Sequence, residues 1–199
     1  MKDISIKAAS PKEVFKSAFE SKIFTCEHSK DKVKTHSKNV CRICEDIALQ
    51  LEKNGIKVRK KLLKKAAYLH DIGKAYRKGD AHPFMSVICM YDIFDCSGEE
   101  RKEYAWKLGQ IIIAHKGIVC PPVCVAKEAA ILRMADKIDK YSKPQYSLKE
   151  AEESCKKSLK KIKEYFREND SADEFEKIKV ACECRRKIAE ECSKWKALR

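Results

Sequence analysis

Apolar residues recur every three to four positions through most of the chain, the spacing of one buried helix face. Ser10-Pro11-Lys12-Glu13 opens a first helix: Ser10 can cap it, Pro11 suits its first turn, and Glu13 stands three residues after the cap. That helix turns Val14, Phe15, Ala18 and Phe19 inward. A polar stretch from Cys26 to Lys34 precedes a helix over Thr35 to Lys53, which Asn54-Gly55 ends. Its inner side carries His36, Val40, Ile43, Ile47 and Leu51. The next helix, Arg59 to Asp71, aligns Leu62, Leu63, Ala66, Ala67 and His70. His82-Pro83 opens another, bearing Phe84, Val87, Ile88, Tyr91 and Phe94. After a break at Cys96-Ser97-Gly98-Glu99, the face Ala105, Leu108, Ile111, Ile112 and His115 repeats the arrangement. Pro121-Pro122 marks a turn, and Val125 to Tyr141 places Val125, Ala129, Leu132 and Asp136 on one side.

From Ser147 onward the pattern changes to two long charged helices joined near Asn169-Asp170-Ser171-Ala172, with Leu159, Ile162, Tyr165, Phe166, Phe175 and Ile178 as apolar positions. Three parts follow: residues 1–29 as an N-terminal helix and connector, 30–142 as a core, and 143–199 as a C-terminal helical hairpin. The hairpin packs on the core, builds a homodimer, or does both.

Composition narrows the fold class. Only 6 Gly and 5 Pro in 199 residues leave little material for hairpin turns, so the chain reads as all-α, and its length supports one well-buried domain with an appendage. No apolar run is long enough to span a membrane, and the N-terminus lacks a signal-peptide core, so a cytoplasmic protein without membrane contact is expected. The 11 cysteines, in such a setting, read as reduced thiols used as small apolar residues. Cys41 and Cys44 have zinc-like spacing, but no second pair answers them. A net charge of +14 raises nucleic-acid binding, since basic surfaces release counterions from phosphates. The lysines, however, alternate with acids along the chain. The densest basic run, Lys57 to Lys65, reads as an amphipathic helix with a solvated face.

The chemistry sits at Leu69-His70-Asp71-Ile72-Gly73-Lys74. A histidine followed by an aspartate offers nitrogen and oxygen to one metal ion, and each carboxylate oxygen can serve a different ion. Gly73 eases a backbone turn, and Lys74 supplies a cation for an anionic substrate. His36, His82, His115 and Asp136 also stand on buried faces or at helix ends. Six such groups need partners, and a divalent metal satisfies several at once. His28, in the polar stretch, reads as surface.

The order His36, His70-Asp71, His82, His115, Asp136 resembles the HD superfamily of metal-dependent phosphohydrolases, and His70-Asp71-Ile72-Gly73-Lys74 is similar to the signature of its HDIG branch. Thr35-His36-Ser37 resembles the first-histidine helix, His82-Pro83 the third-histidine segment, and Met134-Ala135-Asp136-Lys137-Ile138-Asp139 the final-aspartate helix. The resemblance covers roughly residues 30–142 and implies an HD-domain helical bundle with two divalent ions (Fe, Mn, Zn, Co or Ni). His36, His70, Asp71 and Asp136 would form the core metal set, with His82 and His115 as additional ligands and Asp71 bridging. Asp71 and Lys74 are then the catalytic candidates. Lys74, with Arg77, Lys116 and Asp139, is a candidate for substrate contact.

What the resemblance implies for the substrate is a nucleotide or another small phosphate ester. The stretch Ala114-His115-Lys116-Gly117-Ile118-Val119 has no Gly-Tyr-Pro after its histidine, which argues against cyclic-di-GMP. Two alternatives stay open. One is a metal-dependent nuclease on RNA or DNA, which needs a contiguous basic groove. The other is a degenerate HD module that binds a nucleotide or a partner protein.

Overall fold

The computed structural model describes residues 4–5, 27–75, 79–95 and 97–197. The chain is all-α. Its helices are α1 (Glu27–Lys53), α2 (Lys60–Leu69), α3 (His82–Ile93), α4 (Glu99–Ala114), α5 (Ala126–Ile138), α6 (Leu148–Glu168) and α7 (Ala172–Ala197). Short 3-10 turns fall at Ile72–Ala75, Gly79–Ala81, Val123–Val125 and Asp139–Ser142. A two-residue parallel pairing joins β1 (Ile4–Ser5) to β2 (Phe94–Asp95). The helix expected from Ser10 lies outside the described residues, as does Arg77.

Helix α1 starts at Glu27, well before the expected Thr35. The polar residues ahead of His36 lack an apolar stripe but include no helix breaker, and Val33 is buried. Periodicity therefore missed turns that propensity alone permits. The side chain of His28 lies outside the described residues.

Helix α5 is the hub, in contact with α1, α2, α4, α6 and α7. It is buried around most of its circumference, from Ala129 through Ala135 and again at Ile138. This burial includes Glu128, whose carboxylate accepts from the Arg59 backbone N–H at 3.0 Å, from Nε at 3.1 Å and from Nη2 at 2.8 Å. Burial raises the Glu128 pKa, but the Arg59 bonds outweigh it and hold the group below its ordinary value. The start of α2 is thereby anchored to α5. Two further readings of the sequence need correction. Lys65 is not on a solvated face: it is buried with its ammonium 4.9 Å from the Tyr104 ring centroid.

The second correction concerns α3. Phe84 (43% exposed), Ile88 (52%) and Tyr91 (43%) face outward, while His82, Pro83, Ser86, Cys89 and Met90 are buried. The reason is a close backbone approach. A Cβ on Gly73 would overlap the His82 carbonyl and the Ser86 backbone nitrogen. Gly73 is thus required for contact between the Ile72–Ala75 turn and α3; it is not among the glycines with positive φ. Ser86 seals this contact. Its Oγ accepts from Gly73 N at 2.9 Å and lies 2.7 Å from the His70 carbonyl, which can take its proton.

The C-terminal helices follow the expected layout. Ser147 and Glu150 form a reciprocal capping box at the start of α6. The link to α7 falls at Asn169–Ser171, where Asp170 adopts φ 52°. Ile162, Phe166, Phe175, Ile178 and Cys182 are buried in the same continuous apolar cluster as Val40, Leu63 and Leu132. Helix α7 packs on α1 and α5, and α6 on α5. Cys41, Cys44, Cys89, Cys155 and Cys182 are buried, and all nine described cysteines are free thiols.

Candidate metal centre

Six side chains from five elements converge in the interior. His36 comes from α1, His70 and Asp71 from the end of α2, His82 from the first position of α3, His115 from the end of α4, and Asp136 from α5. His36, His70, Asp71, His82 and His115 are buried, and Asp136 is nearly so. Asp71 stands between two groups. Its Oδ2 lies 3.1 Å from His36 Nε2 and 3.5 Å from His70 Nε2. Its Oδ1 lies 2.9 Å from His82 Nε2 and 3.8 Å from His115 Nε2. Asp136 Oδ1 joins the first group, 3.1 Å from His36 Nε2. Both triads, His36–His70–Asp71 and Asp71–His82–His115, bring one ligand atom per residue within 4.8 Å of one another.

The far side of each ring is held. His70 Nδ1 donates to Ala67 O at 2.9 Å, His115 Nδ1 to Ile112 O at 2.6 Å, and His82 Nδ1 to Gly79 O. His36 Nδ1 donates to Asp139 Oδ2 at 2.7 Å. With Nδ1 carrying the proton, every neutral ring turns an Nε2 lone pair inward. Yet His36 and His70 bring these atoms to 3.3 Å, and His82 and His115 to 3.2 Å. With protons on Nδ1 alone, the facing Nε2 lone pairs of His82 and His115 repel, whereas a His36 ring protonated at both nitrogens can donate to His70; among the described residues Asp71 Oδ1 is buried without a hydrogen-bond partner. A cation among these atoms resolves both conflicts, so the residues fit divalent metal. The outer Asp139 and carbonyl contacts are the kind that orient metal-ligating histidines.

Burial depresses the His36 pKa, but hydrogen bonds to Asp136, Asp139 and Asp71 override it and push the group up to about 10. His70 falls to about 4, because burial is only partly countered by Asp71. His115 is likewise pushed well down by burial. Asp71 and Asp136 are held well below the ordinary carboxylate range: burial opposes this, but surrounding histidines and lysines prevail.

A crown of lysines surrounds these acids. Lys74 pairs with Asp71 Oδ2, Lys137 with Asp136 Oδ2, and Lys143 with Asp139 Oδ2 at 3.0 Å. Lys74 is 35% exposed at its side chain, so it spans the buried acid and the solvent. Lys116 is half-buried just after His115 and close enough to Lys140 for their charges to interact; among the described residues no hydrogen bond or ion pair ties it to the cluster. Asp139, expected at the substrate, is buried, with its oxygens engaged by His36, Lys143 and Ser142. Sequence reasoning passed over Lys137, Lys143 and Ser86. The two lysines had a signal in their short offsets from Asp136 and Asp139; Ser86 had none.

The HD domain family matches residues 33–141, more than half of the 199-residue chain. This protein belongs to that family, whose members are in general metal-dependent phosphohydrolases. No match was found among curated proteins or among solved structures. Among the described residues no helix is long and apolar enough to cross a membrane.

Proposed function

We propose that this chain is an HDIG-branch phosphohydrolase that holds two divalent ions and hydrolyses a nucleotide or another small phosphate ester. The observation that carries this reading is the division of Asp71: each carboxylate oxygen faces its own histidine pair. His36, His70, Asp136 and Asp71 Oδ2 would hold one ion, and His82, His115 and Asp71 Oδ1 the other. When bound, such ions acidify a water nucleophile and offset charge on phosphoryl oxygens. Mixed imidazole and carboxylate donors suit Fe, Mn, Zn, Co or Ni.

The remaining tasks fall to this chain's own residues. Asp139 fixes the His36 tautomer and orientation through its 2.7 Å contact, a positioning role that replaces the substrate contact expected from sequence. Lys74 meets the substrate's phosphate. Burial lowers its pKa, but Asp71 raises it further, so it stays a cation at neutral pH. Lys116, on the turn after His115, is a further cation for the substrate's phosphate. Three lysines each paired to an acid of the centre favour an anionic ligand.

The test begins with elemental analysis of protein purified without added metal or chelator, where about two ions per chain are expected. Asp71→Ala should lose metal and hydrolysis together, measured on bis(p-nitrophenyl) phosphate and a panel of nucleotides. Full hydrolysis by Asp71→Ala would end the two-ion reading. Lys74→Ala should raise KM and leave metal content unchanged; loss of metal would make its role structural.

A further inference from the structure

A second cavity, of about 240 Å³, opens between the α4–α5 connection, α5 and α6. None of the six candidate metal ligands lines it. Its walls are apolar, with Ile162, Phe166 and Tyr165 from α6 and Pro121 from the connection. Into this setting the chain places Arg133, only 9% exposed. Its Nε is buried and, among the described residues, has no hydrogen-bond partner. Among the described residues no carboxylate forms an ion pair with it. Asp136, one turn along α5, is already engaged by His36 and Lys137. Burial lowers the Arg133 pKa, and the nearby charges of Asp136 and Cys120 offset this only in part.

A buried guanidinium nitrogen left without an acceptor, on a side chain with no ion pair, is costly unless an anion completes it. The structure makes room for this one. Gly117 has φ 68°, and a Cβ there would overlap the guanidinium, so the backbone turn is shaped around Arg133. The rim carries Lys161, Glu164 and Glu168, all exposed, so water screens their charges. Arg133 lacks that screening.

We propose that this cavity is a binding site, separate from the metal centre, for a small organic anion. Arg133 takes its phosphoryl or carboxylate group, and a planar apolar body lies against Phe166 and Tyr165. Guanidinium geometry suits both oxyanions through paired N–H donors, and a mostly apolar lining with one placed charge is the usual make-up of a small-molecule site.

Cys120 provides a local reporter, because it is an exposed free thiol on the cavity wall. The full, metal-loaded chain is alkylated with iodoacetamide, and each cysteine is followed by peptide mass spectrometry. Phenylphosphonate or benzoate should slow Cys120 alkylation saturably, by about fivefold at a concentration four times Kd, since protection follows occupancy as one plus the ratio of ligand concentration to Kd. Cys184 and Cys192 should be unaffected. Which of the two anions protects identifies the head group, and inorganic phosphate should compete with phenylphosphonate if that group is phosphoryl. Arg133→Met, checked for folding by circular dichroism, should lose the protection. Neutral benzamide should give none in the wild-type chain, a control that needs no variant. Absence of protection by both anions, equal protection by benzamide, or protection surviving in folded Arg133→Met would each overturn the proposal.

Discussion

The protonation of His36 sets a measurable linkage between metal and pH. In the metal-free chain its pKa stands near 10 against an ordinary 6.5. A raised pKa means that the charged ring stabilises the metal-free fold fully below about pH 6.5 and that this contribution fades as pH climbs towards 10. Metal binding has the opposite sign, because Nε2 must lose its proton first. Affinity for an ion in the His36 group should therefore rise with pH through this window, by up to about tenfold per unit. Calorimetry at pH 7 in buffers of different ionisation enthalpy should record release of roughly one proton per chain. His70, near 4, is already neutral and adds none. Binding without proton release would contradict this assignment. Asp139→Ala should reduce metal affinity about 10–100-fold by freeing the His36 ring; a change confined to KM would return Asp139 to the substrate.

At the scale of elements, the junction of the Ile72–Ala75 turn with α3 controls whether His82 reaches Asp71. Gly73 and Ser86 set that junction by backbone contact. Gly73→Ala should cost about 2–3 kcal/mol, since overpacking here meets backbone that cannot rotate away. The melting temperature should fall by roughly 4–12 °C. Metal content should drop too, because α3 carries His82. An unchanged melting temperature would mean that this contact does not hold α3 in place. The reversed face of α3 belongs to this scale as well: Phe84, Ile88 and Tyr91 made an apolar stripe by spacing, but the small Ser86 side chain permits the close approach to Gly73.

The whole molecule shares one core. Phe166 and Phe175 of the hairpin lie in the same cluster as α1 and α5 side chains, with ring centroids 6.4 Å apart. Phe166→Ala should destabilise the entire chain by about 3–5 kcal/mol. Unfolding in urea should remain a single transition by far-ultraviolet circular dichroism and by tryptophan fluorescence. Two separated transitions would instead make residues 143–199 an independent unit.

Helix periodicity and few glycines and prolines were enough to read the all-α class, most helix boundaries and the inward placement of His36, His70 and His115, because these follow from local spacing. The order of His and Asp along the chain, with its flanking residues, was enough to mark an HD-like set. Three matters needed the folded chain. Which face of α3 is buried depends on a backbone contact between Gly73 and residues that lie further along the sequence. That Asp71 divides its oxygens between two histidine pairs depends on α1, α3 and α4 meeting at the end of α2. That Arg133 Nε finds no acceptor among the described residues depends on how α4, α5 and α6 pack around it. Local sequence records what a side chain is; only packing decides what it is left facing.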